Sequence, residues 1–261
     1  MEYSTGFKQL VAFALRGNQY VGTGNPNSKI VIIGKEVALD NEFEPNLKDL
    51  DQAFKVALKT DFEENAQKWQ MNIEANQNEE SINKWEVKPQ QNNPLFPFKG
   101  MMLNKQNEGH TWRKYQKLHD LIFNGTMNPD TNREYDFHRN FFISELNNSY
   151  SKSTVDANKG SIPGRKEFID AHAFFKSFPI VLLACSNYIS GGELKQIFGV
   201  EFIKEKGIGN QKFWIHFSQS DNPKLVIHTR QLSMNVSNKL IRELADEIKS
   251  FAEVKEIVLL A

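Results

Sequence analysis

Four short apolar segments along the chain predict the strands of a buried β-sheet. They are dominated by aliphatic and aromatic residues, as expected for strands that are covered on both faces. These segments are residues 29–33, 140–144, 179–184 and 225–227. Two further segments predict strands at the margins of the sheet. Residues 211–219 alternate apolar with polar positions, which is typical of a half-exposed strand, and residues 254–260 predict a terminal edge strand.

Apolar residues spaced three or four apart predict helices between these strands. The predicted helical segments are residues 6–16, 46–71, 111–123 and 164–176, a short turn from Gly191, and a C-terminal helix with Val236, Leu240, Ile241, Leu244, Ile248 and Phe251 on one face. Strands that alternate with helices predict an α/β protein, here a three-layer α/β/α sandwich around a central, mostly parallel four-stranded sheet. We expect residues 1–261 to form a single domain, with a polar insertion near residues 72–93.

Charge and composition narrow the class of protein only slightly. Lys plus Arg and Asp plus Glu both number 32, so no overall basic field points to nucleic acid, although a local basic patch is compatible with this balance. Cys185 is the only cysteine, which excludes an internal disulfide and a cysteine-based zinc site. No apolar run approaches the ~20 residues that span a bilayer. We expect a cytoplasmic protein without a membrane partner, and a monomer.

Polar residues follow three of the predicted strands and are candidates for chemistry. Glu36 follows the first strand, Ser144 and Asn147 lie at the end of the second, and His228 ends the strand at residues 225–227. Ligands of open α/β folds bind beyond the carboxyl ends of the strands, so these side chains are expected to meet at one edge of the sheet. A carboxylate there can activate water, and a histidine can stabilise a leaving anion.

Two other kinds of site are disfavoured by the motifs around the first strand and by the histidine spacing. Gly34 is followed neither by a Walker pattern nor by Gly-x-Gly-x-x-Gly, and Gly22-x-Gly24 lies on the wrong side of the strand. The remaining histidines show no convincing metal-ligand spacing; they are His110, His119, His138, His172 and His216. We therefore expect no metal and no organic cofactor.

Taken in order, these segments resemble the uracil-DNA glycosylase superfamily. The family's water-activating motif, often Gly-Gln-Asp-Pro-Tyr, corresponds to residues 34–38, which places Glu36 at the aspartate position. Its last motif, commonly His-Pro-Ser-Pro-Leu-Ser, corresponds to residues 228–233. The helix that begins Thr111-Trp112-Arg113 is also similar to one in this family, and the resemblance covers the chain from about Lys29 to Phe251.

This resemblance implies a role for each candidate residue. Glu36 and His228 would be catalytic. Four residues would bind the flipped base: Phe96 or Phe98 by stacking, and Ser144 and Asn147 at the position of the family's base-recognising asparagine. Arg230 and Ser233 would contact the nucleic-acid backbone, with further basic residues near the second strand: Lys152, Lys159, Arg165 and Lys166. The implied partner is DNA, either single-stranded or mismatched.

Departures from the family's motifs leave several functions open. Val37 replaces a proline of the first motif, Thr229 and Gln231 replace both prolines of the last, and Lys35 lies beside Glu36. Ser144 lacks the amide donor and acceptor that recognise uracil. One alternative is a non-catalytic member of the same fold that binds nucleic acid or a nucleobase. Another is a different hydrolase on a flavodoxin-like sheet.

Overall fold

The computed structural model describes most of the chain as one α/β arrangement. The described residues are 2–37, 59–60, 62–78, 93–97, 111–128, 130, 133–151, 154–218, 220–233 and 235–259. Within these ranges lie seven strands in one mixed sheet and seven α-helices. The α/β class expected from the sequence is therefore confirmed. None of the helices in the described ranges is both long enough and apolar enough to cross a membrane.

The centre of the sheet consists of four parallel strands. They are β2 (Ile30–Gly34), β3 (Phe141–Glu145), β4 (Ile180–Leu183) and β7 (Lys224–Thr229), and they lie side by side in the order β3-β2-β4-β7. All three pairings between them are parallel. The four apolar segments of the sequence thus form the parallel centre, as predicted.

Three antiparallel strands extend this centre, so the prediction of a four-stranded sheet was wrong. β1 (Thr23–Gly24) pairs with β3 on one side, and β6 (Gln211–Ser218) pairs with β7 on the other, followed by β5 (Glu201–Ile208). The complete order is β1-β3-β2-β4-β7-β6-β5. β5 was missed because all but two of its eight residues are exposed, which leaves no buried stripe in its sequence.

The helices follow the predicted periodicity closely in most places. They are α1 (Thr5–Gly17), α2 (Asn65–Glu74), α3 (Thr111–Phe123), α4 (Ile162–Ala171), α5 (Ala173–Ser177), α6 (Gly191–Phe198) and α7 (Asn238–Val254). The predicted helix at 164–176 is divided into α4 and α5, because His172 has extended backbone angles. The predicted terminal strand is wrong for residues 254–259, which contain no strand. Residues 46–58 of the second predicted helix lie outside the described ranges.

Alternating strand residues pack against two separate sets of helices. Val31, Val181 and Val226 belong to a buried cluster with side chains of α1, α2, α4, α5 and α6. Ile32, Leu182 and Ile227 belong to a second cluster with side chains of α3 and α7. Successive strand residues point to opposite faces, so this division means that apolar layers cover both faces of the parallel centre.

The order of the central strands determines where a site can form. After β2 the chain passes to β3 on one side, and it later returns to place β4 on the other side of β2. The loops beyond the carboxyl ends therefore diverge around β2, which creates the kind of crevice in which α/β proteins bind ligands. Gly34, at the end of β2, marks this crevice.

Two reciprocal amide hydrogen bonds join the first and last residues of the predicted polar insertion. Asn72, in α2, and Asn93 donate to each other's side-chain oxygen over 2.8 Å, and both residues are buried. Asn93 Oδ1 also accepts from the backbone N–H of Leu95. Residues 79–92, most of the insertion, lie outside the described ranges.

Candidate functional site

Glu36 is a buried carboxylate beyond the carboxyl end of β2, as the sequence predicted. Its side chain is only 6% exposed. The hydroxyl of Thr154 donates to Oε1 and the hydroxyl of Tyr188 donates to Oε2, each over 2.7 Å. Burial of a carboxylate is costly unless hydrogen bonds compensate it, and these two hydroxyls provide that compensation. Each carboxylate oxygen can accept a second hydrogen bond, so Glu36 still has acceptor capacity for a water molecule.

His228 is fixed at the end of β7 by a backbone carbonyl. Its Nε2 lies 2.6 Å from the carbonyl oxygen of Ser186, so Nε2 carries the proton and donates it. The ring also packs against Trp214 with a centroid separation of 5.4 Å. Burial lowers the pKa of His228, although the hydrogen bond to Ser186 opposes that shift. His228 is therefore held with Nε2–H engaged, and Nδ1 is the ring nitrogen left for a ligand.

A chain of polar contacts connects these two residues across the ends of the strands. Ser186, which holds His228, also accepts at its hydroxyl from the backbone N–H of Gln231 over 3.3 Å. The side chain of Gln231 lies 3.3 Å from the hydroxyl of Thr154, which donates to Glu36. We call these residues the strand-end network: Glu36, Thr154, Tyr188, Ser186, Gln231 and His228. It brings the two catalytic candidates into one connected site.

Ser144 occupies a different position from that implied by the sequence. It is fully buried, its hydroxyl donates to the carbonyl of Val21, and it accepts from Nη2 of Arg165 over 2.8 Å. Arg165 is itself 1% exposed, and its Nε donates to the carbonyl oxygen of Glu145. Both side chains are therefore committed to the packing around β3, which corrects the assignment of Ser144 to the base and of Arg165 to a nucleic-acid backbone.

Asn147 is likewise used within the protein. Its side-chain N–H group donates to the carbonyl of Asn158 over 2.9 Å, and its side-chain oxygen accepts from the hydroxyl of Ser161. The residue is fully buried. The amide thus holds the loop after β3 against the start of α4, and neither of its polar groups is directed at a ligand.

The structure does not bring Phe96 to the strand-end network. Its ring is 7% exposed and lies in the cluster with α1 and α2, under the guanidinium group of Arg139. Arg139 precedes β3. The carbonyl of Pro94 accepts a hydrogen bond from the backbone N–H of Gly24, which pairs with the first half of β3. Phe96 is thus a core residue near the amino end of β3, at the far end from Glu36. Phe98, the other stacking candidate, lies outside the described residues.

Basic side chains do lie around the network. Arg230 is partly exposed between His228 and Gln231, and Ser233 is partly exposed in the same loop. Lys35 lies 4.8 Å above the ring of Tyr188 and is close enough to Lys159 for their charges to interact. Burial, the largest influence, lowers the pKa of Lys35, while Glu36 opposes this shift. Lys166 is instead paired with Glu193 over 2.6 Å, and Lys152 lies outside the described ranges.

Glu145, the last residue of β3, contributes a second carboxyl group that the sequence analysis did not single out. It is paired in register with Gly34, and a methyl group at Gly34 would collide with its Oε2. This oxygen is buried and has no hydrogen-bond partner among the described residues. Burial raises the pKa of Glu145 to about 8, the charge of Glu36 adds to the shift, and Arg165 opposes it. The sequence feature that could have identified Glu145 as a candidate is its position at the end of a predicted strand.

A pocket of about 420 Å³ is lined by residues that follow α1, by residues at the start of α2 and just before it, and by the loop after β3. Its aromatic side consists of Tyr20 stacked on Phe62 at 4.8 Å, with Tyr150 edge-on to Phe62. Its polar side includes Asp156 and Asn158. These aromatic rings come from segments that the sequence did not connect with the site. The pocket offers planar, partly polar walls, but none of its lining residues belongs to the strand-end network.

Two further groups of side chains have structural explanations. Asp120 and Asp136 lie close to the buried His119, but Gln116 donates to one oxygen of each carboxylate, and Arg133 lies 2.5 Å from the other oxygen of Asp120. These contacts compensate part of the charge of the two carboxylates. Cys185 is fully buried, and burial raises its pKa to about 12, which disfavours the nucleophilic thiolate.

No protein-family model, curated protein or solved structure matches this chain. The strand-end network and the motifs that follow β2 and β7 are therefore the features that bear on function.

Proposed function

We propose that the protein hydrolyses the N-glycosidic bond of uracil or another modified base in DNA, as a divergent relative of the uracil-DNA glycosylase superfamily with a three-layer α/β/α architecture. The observation that carries this proposal is the strand-end network. It links a buried carboxylate to a histidine at the crevice around β2 through side-chain and backbone groups of Thr154, Gln231 and Ser186, while Tyr188 also holds the carboxylate. Sites of this type combine water activation with stabilisation of a leaving group.

In this reaction the bond between C1′ of the sugar and the base nitrogen breaks, and the base departs with the bonding electrons. The oxygen of a water molecule then bonds to C1′. Glu36 orients this water, accepts its proton, and stabilises the positive charge that develops on the sugar. Tyr188 and Thr154 hold the carboxylate in place for this task. The departing base takes up a proton and leaves as the neutral molecule.

The contacts of His228 determine how it assists. Since Nε2–H donates to Ser186, the ring can donate to the departing base only through Nδ1, which must first be protonated. Burial lowers the pKa of His228, so this form is scarce at neutral pH. The turnover rate should therefore increase as the pH falls from about 7.5 to about 6. In His228→Asn the rate should depend less on pH.

Lys35, Lys159 and Arg230 would contact the DNA backbone. Their partly or fully exposed positions around the network suit phosphate contacts, which position a nucleic acid without recognising its sequence. Such contacts predict binding that weakens with added salt. The slope of the logarithm of the binding constant against the logarithm of the salt concentration should steepen by about one unit for each phosphate neutralised.

The test is base excision by the full chain on oligonucleotides that carry uracil, hypoxanthine, or a U·G or T·G mismatch, in single and double strands. Abasic sites are detected by alkaline cleavage. The proposal predicts product from at least one substrate, and a loss of about 10²-fold or more in Glu36→Gln. Product that forms equally in wild type and Glu36→Gln would contradict the assignment of Glu36.

The same network also supports a second function, binding of a nucleobase without turnover. Both oxygens of Glu36 and the Nε2–H of His228 already have partners inside the protein, which favours a rigid recognition site. Salt-sensitive binding of an oligonucleotide by a wild-type protein that forms no abasic sites would favour this second function.

A further inference from the structure

We propose that Glu145 recognises the substrate base as a neutral carboxyl group, which offers one donor and one acceptor to a base edge that carries one of each. The inference rests on the proposed function, since it names the recognition residue of that site. Uracil and hypoxanthine have such an edge, in which a ring N–H lies beside a carbonyl. A protonated carboxyl can pair with both groups at once, as a side-chain amide can.

The position of Glu145 is the first observation behind this proposal. It is the terminal residue of β3, beside Gly34 at the end of β2, and Glu36 follows Gly34 by two residues. Because Gly34 has no side chain, the carboxyl group of Glu145 lies directly over the backbone of β2. Any base whose glycosidic bond is within reach of Glu36 would therefore pass close to Glu145.

The hydrogen bonding of Glu145 is the second observation. Oε2 is buried and is not hydrogen-bonded by any described residue, although the side chain as a whole is partly exposed. Buried polar atoms almost always have a partner, so this oxygen is open to a water molecule in the free protein and to a ligand that displaces it. Glu145 differs in this respect from Ser144 and Asn147, whose polar groups are all used within the protein.

The charges around Glu145 favour the neutral form. Glu36 faces it from the loop after β2, and its negative charge opposes ionisation. Tyr115, from α3, and Cys185, from the loop after β4, are both held neutral by burial and add no positive charge. Among the described residues, Arg165 from α4 is the cation that acts on Glu145, but its hydrogen bonds go to the backbone carbonyl of Glu145 and the hydroxyl of Ser144.

Burial of the carboxyl and the nearby charge of Glu36 raise the pKa of Glu145 to about 8, which agrees with this geometry. Deprotonation would remove the donor and leave two acceptors, which suit a base edge with two N–H groups. Recognition of uracil would then weaken above about pH 8, by up to tenfold for each further pH unit.

The experiment uses the full-length wild type, Glu145→Gln and Glu145→Ala. Glutamine keeps one donor and one acceptor but does not titrate, whereas alanine removes both. The probe is a single-stranded oligonucleotide with one uracil, and a matched oligonucleotide carries N3-methyluracil, which lacks the ring N–H. Binding is followed by fluorescence anisotropy and turnover by abasic-site formation, at roughly pH 6.5 and roughly pH 8.5, the higher value being below the range in which the ring N–H of uracil itself ionises.

We expect wild type to bind uracil more weakly at the higher pH, Glu145→Gln to bind equally at both, and Glu145→Ala to bind weakly at both. N3-methyluracil should weaken binding to wild type and to Glu145→Gln, and should have no effect on Glu145→Ala. Equal pH dependence in wild type and Glu145→Gln would overturn the proposal, as would equal binding of the two oligonucleotides by wild type.

A titration without substrate tests the protonation state even if neither variant binds DNA. Carboxyl ¹³C NMR of labelled wild-type protein should show one glutamate that titrates near pH 8, and its resonance should be absent from the spectrum of Glu145→Gln. Glu253→Gln, an exposed position on α7, provides the control for assignment. A Glu145 resonance that titrates below about pH 5 would overturn the neutral carboxyl and indicate a direct ion pair with Arg165.

The two proposals fail in different ways. Binding that depends on Glu145 without any abasic product would overturn glycosylase activity and support the recognition role. Abasic product whose rate is unchanged by Glu145→Ala at both pH values would overturn the recognition role and leave the activity in place. A wild type that neither binds nor cleaves the uracil oligonucleotide would overturn both.

Discussion

The hydroxyl of Tyr188 donates to Oε2 of Glu36 over 2.7 Å, a contact that joins residues 152 positions apart. Tyr188 lies in the loop after β4, and Glu36 lies in the loop after β2, so the bond ties two neighbouring parallel strands together at their carboxyl ends. Burial is the main reason that the pKa of Tyr188 is raised, and the bond to Glu36 adds to the shift. The hydroxyl therefore remains a donor throughout the neutral range.

Tyr188→Phe should lower the free energy of unfolding by about 1.5–3 kcal/mol, because it removes a hydrogen bond to a buried charge. The phenyl ring should keep its contact with Lys35, so the loss can be assigned to the hydroxyl. Urea denaturation at neutral pH measures the effect. Tyr3→Phe, which removes a bond to the neutral carbonyl of Gln77, is the matched control and should cost less. Equal losses in the two variants would count against a charged partner.

Glu36→Gln should fold and lose glycosylase turnover by about 10²–10⁴-fold, because an amide cannot accept a proton from water. Single-turnover measurements of abasic-site formation give the rate of the chemical step. Glu253→Gln changes the net charge equally at an exposed site on α7, and it should retain the wild-type rate. A similar loss in both variants would show that net charge, and not the site, governs the rate.

Ser144→Ala should reduce stability without changing base preference. The hydroxyl bridges Arg165 and Val21, and its removal leaves a buried guanidinium N–H and a carbonyl with one partner fewer. We expect a loss of about 1–3 kcal/mol in urea denaturation. The ratio of rates on uracil and hypoxanthine substrates should be unchanged. A shift in that ratio with unchanged stability would restore Ser144 to the base-binding site.

Gly34→Ala should displace the carboxyl group of Glu145, because a methyl group at Gly34 would collide with Oε2. The expected cost is about 1–3 kcal/mol, since the contact is with the end of a flexible side chain. Glu145→Ala should remove the obstacle, so the double variant should be more stable than the sum of the single effects predicts. A double-mutant cycle by thermal unfolding measures this coupling. Strict additivity would mean that the two residues do not meet.

Buried histidines should make the protein less stable in mild acid. Burial lowers the pKa of His138 well below 6.5, and it also lowers the pKa values of His172, His216 and His228. The unfolded chain therefore takes up protons near pH 6.5 that the folded protein does not. Stability is fully present above this pH and falls below it, by up to about 1.4 kcal/mol per pH unit for each such histidine.

His138→Gln tests this acid dependence, because His138 is 2% exposed and its pKa is lowered strongly. The variant should lose less stability than wild type between roughly pH 7.5 and roughly pH 5.5, whatever its stability at the higher pH. Urea midpoints at the two pH values provide the comparison. An unchanged slope in the variant would mean that His138 is protonated in the folded protein.

The central strands could be predicted from sequence because their identity is a local property. Residues 30–33 are four consecutive β-branched residues, and a strand buried on both faces requires such a run. β5 had no equivalent signal, since it is mostly exposed and carries four charged residues among eight. The helix α7 continues to Val254, and the following turn includes Glu256 with φ of 53°, so residues 254–259 do not form the predicted strand.

The residues of the candidate site likewise divide into those with a local sequence signal and those without one. Glu36 and His228 were predicted because each follows an apolar strand, and the ends of parallel strands meet at one edge. Tyr188 and Thr154 were missed because they reach Glu36 from loops 152 and 118 residues away. The direction of a side chain could not be predicted from the sequence either. Ser144 and Glu145 are neighbours at the end of β3, yet one points into the packing with Arg165 and the other lies over Gly34.

The outer strand β5 has a consequence for how the protein behaves when it is concentrated. No other described strand pairs with its outer side, and it exposes Phe202 and Ile203. Lys206 belongs to β5, and its ammonium group lies 2.5 Å from Glu247 of α7. This ion pair keeps a charged side chain on the open strand. Lysines on an edge strand oppose pairing with a second copy. Conditions that neutralise or screen these charges should therefore promote aggregation through β5 before the parallel centre unfolds.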